Sequence, residues 1–432
     1  MKLFRLLTLA FLFLTTGFGY SQEEKKEERV PGHYNNNPFK QLYEEFSTPN
    51  QYRSASGAPG PAYYQQQADY VMDIELDDKN KKLMGYETIT YTNNSPDVLD
   101  YLWVQLDQNM RARDSKTPLI QSSGAAPADM AGNFVNQYMG QGFDGGFNIQ
   151  EVKDTNGKNL EYTINRTMMR IELPKSMTTG DQFEFSIRWW YNINDHVNKR
   201  GRSGYEEFED GNRAYVIAQF FPRMAVYNDV EGWQNSQFWG RDEFALVFGD
   251  YEVNITVPSD HILDGTGELQ NRKEVFSKEM IKRYEQAKKS YEEPVVIVTQ
   301  DEAEEASKGF LTSKKTWKFK AKNVRDYAFA TSRRFIWDMM AVKLGSRDVM
   351  AVSMYPKEGN PLWEDWSTKV VASTLISYSR MTFDYPYPKA ISVHAKNQGM
   401  EYPMICWNYG RPDADGTYSD RVKYGMFGVV IH

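Results

Sequence analysis

Cysteine is nearly absent from this sequence of 432 residues, which contains only Cys406. A single cysteine permits no disulfide within the chain, so the fold must be stabilised by packing. Beyond the N-terminus, no segment is apolar enough to be a transmembrane candidate. No block of Lys and Arg stands out against a net charge of −7, which argues against nucleic acid as a partner.

The common catalytic motifs are missing as well. The chain has no GxSxG, no CxxC and no GxGxxG after a predicted strand. The glycine-rich segment 124–146 lacks the spacing of a phosphate-binding loop and is predicted to be a long surface loop. Four of the five histidines, His33, His196, His261 and His394, have no second histidine at metal-ligand spacing, so they are expected to be ordinary surface or core residues.

What the chain does contain is ample apolar material, with 41% hydrophobic and 14% aromatic residues. This is enough for two or three domains with buried cores. Residues 1–21 combine two basic residues with a short apolar stretch and predict a signal peptide cleaved before Gln22, with a periplasmic or secreted mature protein. The alternative is a retained membrane anchor. Residues 22–65 are polar and non-periodic, which predicts an arm or linker.

Alternating apolar and polar residues follow from about residue 66. The apolar positions Tyr70, Met72, Ile74 and Leu76 are typical of a half-buried strand, and the same pattern recurs near residues 183–191, 251–257 and 317–321. Turn clusters separate these segments without intervening helical patterns, apart from a charged helix predicted over 276–290. We therefore predict a mostly β domain of antiparallel sheets over residues 66–345.

The pattern changes after residue 345. Residues 349–355 and 390–393 are predicted strands, and Asn360 and Pro361 form a predicted helix start, with Asn360 as the N-cap. Apolar or large residues then recur at helical spacing and predict one buried face; they are Leu362, Trp366, Val370, Thr374 and Tyr378. A mixed α/β domain is expected over residues 346–432, and it is expected to be incomplete because fewer than 90 residues remain.

The last segment, 399–432, is the most informative. A short apolar run carries Glu401, and the chain stops at His432 directly after the apolar sequence FGVVI. An apolar helical turn followed by histidine is how an HExxH zinc helix begins, although most terminal histidines have no such role. We expect the chain to be truncated within this helix, as from an incomplete gene.

A similarity to one known family extends over nearly all of the chain from about residue 66 and is carried by segments 70–109, 214–234, 242–269 and 399–403. These segments resemble the aminopeptidase N family of gluzincin zinc metallopeptidases. Residues 70–109 look like the first hairpins of its saddle-shaped N-terminal β domain. Residues 214–234 and 242–269 look like its aromatic-proline segment and the following strands. The short segment GMEYP, 399–403, resembles its Gly-x-Met-Glu-Asn strand. The resemblance implies a mostly β N-terminal domain followed by the start of a thermolysin-like α/β catalytic domain.

The resemblance also implies roles for particular residues. In the family, the Gly-x-Met-Glu-Asn strand pairs with an extended peptide, and its glutamate binds the free α-amine; Glu401 inherits this position, with Met400 and Gly399 beside it. Gln219 is the nearest match to a second amine-binding residue. His432 matches the first zinc ligand, and the catalytic glutamate and tyrosine would follow residue 432.

The sequence departs from the family motif in places. Gln398 stands at the first glycine and Tyr402 at the final asparagine, so only Met400 and Glu401 are retained. This puts the shape of the first specificity pocket in doubt. For Glu401 the alternative is an exposed acid at a strand end, and for Gln219 it is a buried glutamine bonded to backbone.

These observations lead to the hypothesis of a zinc-dependent aminopeptidase that acts on peptides and binds one Zn²⁺ in the full-length protein. The chain of 432 residues is expected to be inactive by itself. Two alternatives are a non-enzymatic peptide-binding or scaffold protein and a carbohydrate-binding sandwich. The second alternative requires exposed tryptophans, whereas Trp189 and Trp317 fall at positions where burial is expected.

Overall fold

The structure is a computed structural model that describes residues 49–120, 142–199, 201–241 and 245–432. The chain divides into two units at residue 63, and residues 64–432 form the second unit. In the first unit, residues 49–63 form turns and an isolated bridge between Arg53 and Pro59. The predicted signal peptide, most of the predicted arm and most of the glycine-rich segment 124–146 lie outside the described residues. These three interpretations stay predictions.

Strands predominate in the second unit, as the alternating sequence patterns predict. In chain order the described strands are β1 (Gln67–Asp77), β2 (Lys82–Thr92), β3 (Leu99–Gln105), β4 (Asn148–Asp154), β5 (Tyr162–Asn165), β6 (Met168–Met177), β7 (Gln182–Asn192), β8 (Gly204–Glu207), β9 (Arg213–Ile217), β10 (Arg223–Met224), β11 (Tyr227–Asn228), β12 (Gly232–Trp233), β13 (Gly249–Pro258), β14 (Ile262–Gly265), β15 (Glu268–Leu269), β16 (Val295–Val298), β17 (Lys314–Val324), β18 (Phe329–Ser332), β19 (Ile336–Leu344), β20 (Arg347–Tyr355), β21 (Lys389–His394), β22 (Met400–Tyr402) and β23 (Ile405–Asn408).

Helices are fewer and shorter among the described residues. They are α1 (Thr117–Ile120), α2 (His196–Lys199), α3 (Arg272–Val275), α4 (Lys278–Ala287), α5 (Gln300–Ala306), α6 (Leu362–Met381) and α7 (Asp420–Ile431). Two short 3-10 helices cover Asp107–Arg111 and Lys357–Gly359. Helix α4 confirms the helix predicted over 276–290, with the Ser277 side chain accepting the N-terminal capping bond from Met280.

The largest sheet has seven strands in the order β15-β17-β13-β1-β2-β7-β4. Its inward positions are those that the alternating pattern predicts, and both Trp189 and Trp317 are fully buried there. That burial contradicts the exposed tryptophans required by a carbohydrate-binding surface. One feature differs from the prediction of antiparallel sheets, because β1 pairs with β13 in parallel while the other neighbours are antiparallel.

Close packing in this sheet depends on a small residue at Gly85. A Cβ atom at this position would lie 2.2 Å from the Trp189 ring, so the indole occupies the space that a side chain on β2 would fill. Smaller sheets complete the β part of the unit, in the orders β10-β3-β6-β5, β14-β18-β9-β8 and β11-β12.

A six-stranded mixed sheet, in the order β16-β19-β20-β21-β23-β22, forms the α/β part. Strands β20 and β21 confirm the predicted strands, and β20, β21 and β23 run parallel to one another. Two strands of this sheet, β16 and β19, precede residue 345, so the sheet begins earlier in the chain than the predicted boundary. The domain division at that boundary stays a prediction, since residues 64–432 group as one compact unit.

One expectation about helix α6 was wrong, and another was wrong in part. Its N-cap is Pro361, and the Asn360 side chain instead donates to Glu364 (3.0 Å), so Asn360 does not cap the helix. Its buried face agrees with the prediction at Leu362 and Val370 but not at Tyr378, which is 47% exposed, and it includes Trp363, which is fully buried. The helix also buries small polar residues against the sheet. Their burial is not evident from the spacing of large apolar side chains in the sequence.

Within the described ranges, no helix combines the length and the apolar character needed to span a membrane.

Candidate functional site

The candidate site lies at the edge of the six-stranded sheet. Strand β22 is the last strand in the sheet order and pairs antiparallel with β23, with Glu401 opposite Cys406. A two-residue turn joins these strands, in which Pro403 precedes Met404 at φ 66°. Proline restricts its own φ to values suited to the first turn position, which favours this tight hairpin. Among the described strands, none pairs with the outer side of β22.

The hairpin is held against the β part of the unit by hydrogen bonds at its turn. The hydroxyl of Thr266 donates to the Pro403 carbonyl oxygen (2.8 Å), and the Gly267 N–H donates to the Met404 sulfur (3.3 Å). On β23, the Trp407 indole donates to the carbonyl oxygen of Arg202 (3.1 Å). The position of the edge strand is therefore fixed from both ends of the hairpin.

Glu401 and His432, two of the residues predicted from the sequence, are close together. The Nε2 atom of His432 lies 3.8 Å from Oε1 of Glu401. Both side chains are solvent-accessible, 56% for Glu401 and 76% for His432. Helix α7 presents His432 at its C-terminal end, and Ser419 caps its N-terminus by accepting from the Val422 N–H.

Helix α7 is packed closely enough to define one wall of the site. Gly410 has φ 129°, and a Cβ atom there would lie 2.6 Å from the Met426 side chain. Phe427 packs against Trp366 of α6 with ring centroids 5.6 Å apart. The apolar residues before His432 therefore belong to a helix that is anchored on α6.

Gln219 lies in the loop between β9 and β10 with φ 52° and is 5% exposed. Its carbonyl oxygen accepts a hydrogen bond from the Gln108 side chain (2.8 Å), which holds this unusual backbone conformation. Gln219 lines the same cleft as Met400 and Glu401. The structure thus brings Gln219 to one side of β22 and His432 to the other.

Two clefts meet at β22, and Met400 and Glu401 line both. The first, here called the helix-side cleft, has a volume of about 620 Å³. Its lining includes Gly399, Cys406, Asn408, Tyr424 and His432. The second, here called the arginine-side cleft, has a volume of about 270 Å³. Its lining includes Arg202, Gln219, Arg325, Asp326 and Tyr402.

A buried ion network supports the floor of the arginine-side cleft. The Arg223 guanidinium donates to Asp107 Oδ2 (2.6 Å) and to Asp326 Oδ2 (2.6 Å), and all three side chains are at most 7% exposed. Burial opposes the charge on Arg223, but the two carboxylates outweigh it and raise the pKa of the guanidinium. The network therefore holds three distant segments together beneath the cleft.

A second buried network runs under helix α6 towards α7. Asp338 accepts hydrogen bonds from the hydroxyls of Tyr355 (2.7 Å) and Thr368. Hydrogen bonds between hydroxyls then connect Thr368 through Ser353 and Ser367 to Ser392. Burial raises the pKa of Asp338 to about 7, although both hydroxyl bonds lower it.

The second network ends at Asn408 in the floor of the helix-side cleft. With its amide oxygen accepting from Ser392 (2.8 Å), its nitrogen donates to the carbonyl oxygens of Trp407 (2.9 Å) and Val429 (3.2 Å). The last of these bonds reaches helix α7. The hydroxyl network thereby connects the sheet to the helix that carries His432.

His432 is the only zinc ligand that the family resemblance assigns to this chain, and its role as a ligand stays a prediction. Within residues 49–120, 142–199, 201–241 and 245–432, no three His, Cys, Asp or Glu side chains are grouped closely enough to hold a metal ion. Glu401 and His432 are a pair, whereas structural and catalytic zinc sites use at least three protein ligands. Glu401 and His432 therefore do not complete a zinc site by themselves.

Sequence reasoning missed the arginines and the tyrosine of the arginine-side cleft. Arg202, Arg325 and Tyr402 are far apart in the sequence and form no motif. Tyr402 was noted only as a departure from the family asparagine. A signal was present at Arg223, a charged residue within the apolar segment 214–234, because a cation in so apolar a setting requires a buried partner.

Comparisons with known proteins give a structural similarity only. No protein-family model matches the chain, and no curated protein sequence matches it. A two-domain M1 zinc metallopeptidase variant bound to L-arginine is similar over 85% of this chain and 63% of its own, with 12% identity and a TM-score of 0.46. An M1 zinc metallopeptidase from Deinococcus radiodurans is similar over 86% of this chain and 64% of its own, with 11% identity and a TM-score of 0.45.

A variant of the Deinococcus radiodurans enzyme bound to the substrate Tyr-Ser-Ala gives 12% identity and a TM-score of 0.45. The chain spans less than two thirds of the length of each of these three neighbours. They belong to the class of zinc metallopeptidases that the sequence resembles. With such low identities and TM-scores, the similarity assigns no activity to this chain.

Proposed function

We propose that this protein is a zinc-dependent aminopeptidase and that the chain of 432 residues contributes the surface that binds the N-terminus of a peptide. The observation that carries this proposal is the position of Glu401 on a strand with an open outer edge. An extended peptide can add to such an edge through main-chain hydrogen bonds. A carboxylate at that edge can bind the terminal ammonium through a charge-assisted hydrogen bond.

The remaining predicted residues have supporting roles in this proposal. Gln219 lines the cleft beside Glu401 and would accept a second hydrogen bond from the ammonium through its amide oxygen. Met400 and Gly399 line the helix-side cleft, so they would contact the peptide backbone beside the anchor. Recognition of a free amine would restrict action to the first residue of a peptide.

Zinc belongs to the proposal for the whole protein, with His432 as one ligand. When bound, the ion would polarise the scissile carbonyl and activate a water molecule. Export of the protein to the periplasm or the medium is part of the same proposal and follows from the sequence of residues 1–21. For the 432-residue chain with added Zn²⁺, we expect no turnover of leucyl or alanyl arylamides, and turnover would contradict its proposed inactivity.

Binding of a tripeptide such as Ala-Ala-Ala tests the amine-recognition step without requiring turnover. We expect isothermal titration calorimetry to show at least about tenfold weaker binding to the Glu401→Gln variant, because a charge-assisted bond becomes a neutral one. The matched control is Glu292→Gln, an exposed acid in the loop before β16, which should bind as the unaltered chain does. Equal affinity in the Glu401→Gln variant would contradict the proposal.

A further inference from the structure

The arginine-side cleft contains more hydrogen-bond donors than an amine anchor requires. Arg325 lines it as an exposed residue whose guanidinium lies 4.5 Å from the centroid of the Phe248 ring. Arg202 lines the same cleft, and its Nη2 donates to the Arg241 carbonyl oxygen (3.2 Å). An ammonium group would gain nothing from nearby guanidinium groups, so these side chains point to a different part of the ligand.

A third donor in this cleft is the hydroxyl group of Tyr402. This hydroxyl is buried and has no hydrogen-bond partner among the described residues. Buried polar atoms in folded proteins nearly always have a partner, so an unpaired hydroxyl in a cleft wall is a reason to expect a ligand or water there. Tyr402 follows Glu401 on β22, where successive side chains point to opposite faces of the sheet, and both residues line this cleft.

The acid in the cleft wall does not compete for these donors. Asp326 accepts from the Arg223 guanidinium through Oδ2 (2.6 Å) and from the Tyr327 N–H through Oδ1 (2.8 Å). Each of its oxygens therefore already accepts a hydrogen bond from a protein donor. Glu401 remains as the exposed carboxylate of the cleft, and in the proposed function it binds the ammonium.

We propose that the arginine-side cleft receives the acidic side chain of a peptide whose first residue is aspartate or glutamate. This inference rests on the proposed function, since it takes Glu401 as the site of the terminal ammonium. The ligand would then present a positive group to Glu401 and a carboxylate to Arg325, Arg202 and Tyr402. A volume of 270 Å³ is slightly below the range of roughly 300–1,000 Å³ typical of small-molecule pockets, so it suits one side chain.

Calorimetric titration of the full chain with Glu-Ala-Ala and Gln-Ala-Ala tests this specificity. The two peptides differ in one charge and hardly in size. We expect Glu-Ala-Ala to bind at least about tenfold more tightly, because hydrogen bonds between charged groups are stronger than those to a neutral amide. Equal affinity for the two peptides would overturn the inference.

Variants then locate the preference in the cleft. Arg325→Gln should reduce the preference for Glu-Ala-Ala over Gln-Ala-Ala several-fold, and this exposed substitution should not impair folding. Tyr402→Phe, which removes only the hydroxyl group, should reduce it to a smaller extent. Arg380→Gln, an exposed arginine near the end of α6, is the matched control and should leave the preference unchanged. An unchanged preference in both cleft variants would overturn the inference.

N-acetyl-Glu-Ala-Ala separates failure of this inference from failure of the proposed function. If acetylation abolishes binding while the Glu and Gln peptides bind equally, amine recognition is supported and only the acidic preference is wrong. If acetylation has no effect on binding, or if no peptide binds, the proposed function and this inference are both wrong.

Discussion

Charged side chains are used in opposite ways in two neighbouring regions of this molecule. In the buried network, Arg223 is 2% exposed and is bonded to two carboxylates that share its burial. At the edge strand, Glu401 and His432 are mostly solvent-exposed and lie 3.8 Å apart. Buried charges must be paired because an isolated one costs several kcal/mol, whereas exposed charges contribute little to stability. The comparison separates residues that hold the cleft together from residues that are available to a ligand.

The largest effect is expected from breaking the buried network. Arg223→Met removes the cation and leaves Asp107 and Asp326 buried without their partner, which should cost about 3–5 kcal/mol in the free energy of unfolding. Urea unfolding followed by circular dichroism measures this loss. The control, Arg380→Met on the exposed side of α6, should change stability by no more than about 0.5 kcal/mol. Similar losses in both variants would show that the buried network contributes no more to stability than an exposed arginine does.

The second prediction concerns the pH dependence of the buried hydroxyl network. The pKa of Asp338 is raised from 3.8 to about 7 in the folded protein, so the folded state holds a proton that the unfolded chain has released between these values. This contribution therefore destabilises the protein as the pH rises from about 4 to about 7, by at most about 4 kcal/mol.

The Asp338→Asn variant isolates this contribution. Asparagine keeps a carbonyl oxygen for the hydroxyls of Tyr355 and Thr368 but does not titrate. As the pH rises from 4 to 7, the unfolding free energy of the variant should increase relative to that of the unaltered chain. Above pH 7 the difference should stay constant. A difference that is constant with pH would show that Asp338 does not titrate in this range.

A smaller loss of stability is expected when the hydrogen bond that holds the β22–β23 hairpin against the β part of the unit is removed. Thr266→Val keeps the shape of the side chain but removes the donor to the Pro403 carbonyl oxygen, at a cost of about 1–3 kcal/mol. This bond fixes the β22–β23 turn. In the Thr266→Val variant, amide hydrogen exchange should therefore accelerate more in residues 400–408 than in the seven-stranded sheet, each compared with the unaltered chain. Uniform acceleration across both sheets would indicate that the hairpin is not a local unit.

The smallest effect on stability is expected at the edge strand. Glu401→Gln should change the unfolding free energy by no more than about 0.5 kcal/mol, since the side chain is 56% exposed. Urea unfolding of this variant beside Glu292→Gln provides the comparison. A loss above 1 kcal/mol would show that Glu401 stabilises the folded protein and would weaken its proposed role in binding.

The strands were predictable because their apolar residues alternate over long stretches. Residues 70–76 and 251–257 show the pattern, and the inward positions are buried as expected. The parallel pairing of these two segments was not predictable, because alternation is the same in parallel and antiparallel strands when one face is buried. On α6, the face could not be predicted in full because Ser367 and Thr368 are buried in a polar network that stabilises them.

The candidate site was predictable only in part. Glu401 and His432 were found through a local motif and an abrupt end to an apolar segment, and their proximity depends on the packing of α7. Arg325 and Arg202 could not be found in this way, because tertiary packing alone brings two loops that are far apart in the sequence to the same cleft. Local sequence thus indicated Glu401, the proposed amine anchor, whereas the charge of the adjacent cleft became evident only from the fold.

The measurement that tests the central claim most directly is the ratio of dissociation constants for Ala-Ala-Ala and N-acetyl-Ala-Ala-Ala on the unaltered chain. Acetylation removes the terminal positive charge and leaves the extended backbone available to the open edge of β22. We predict that the free-amine peptide binds at least about tenfold more tightly and that this preference is lost in Glu401→Gln. Equal binding of the two peptides to the unaltered chain would contradict the account.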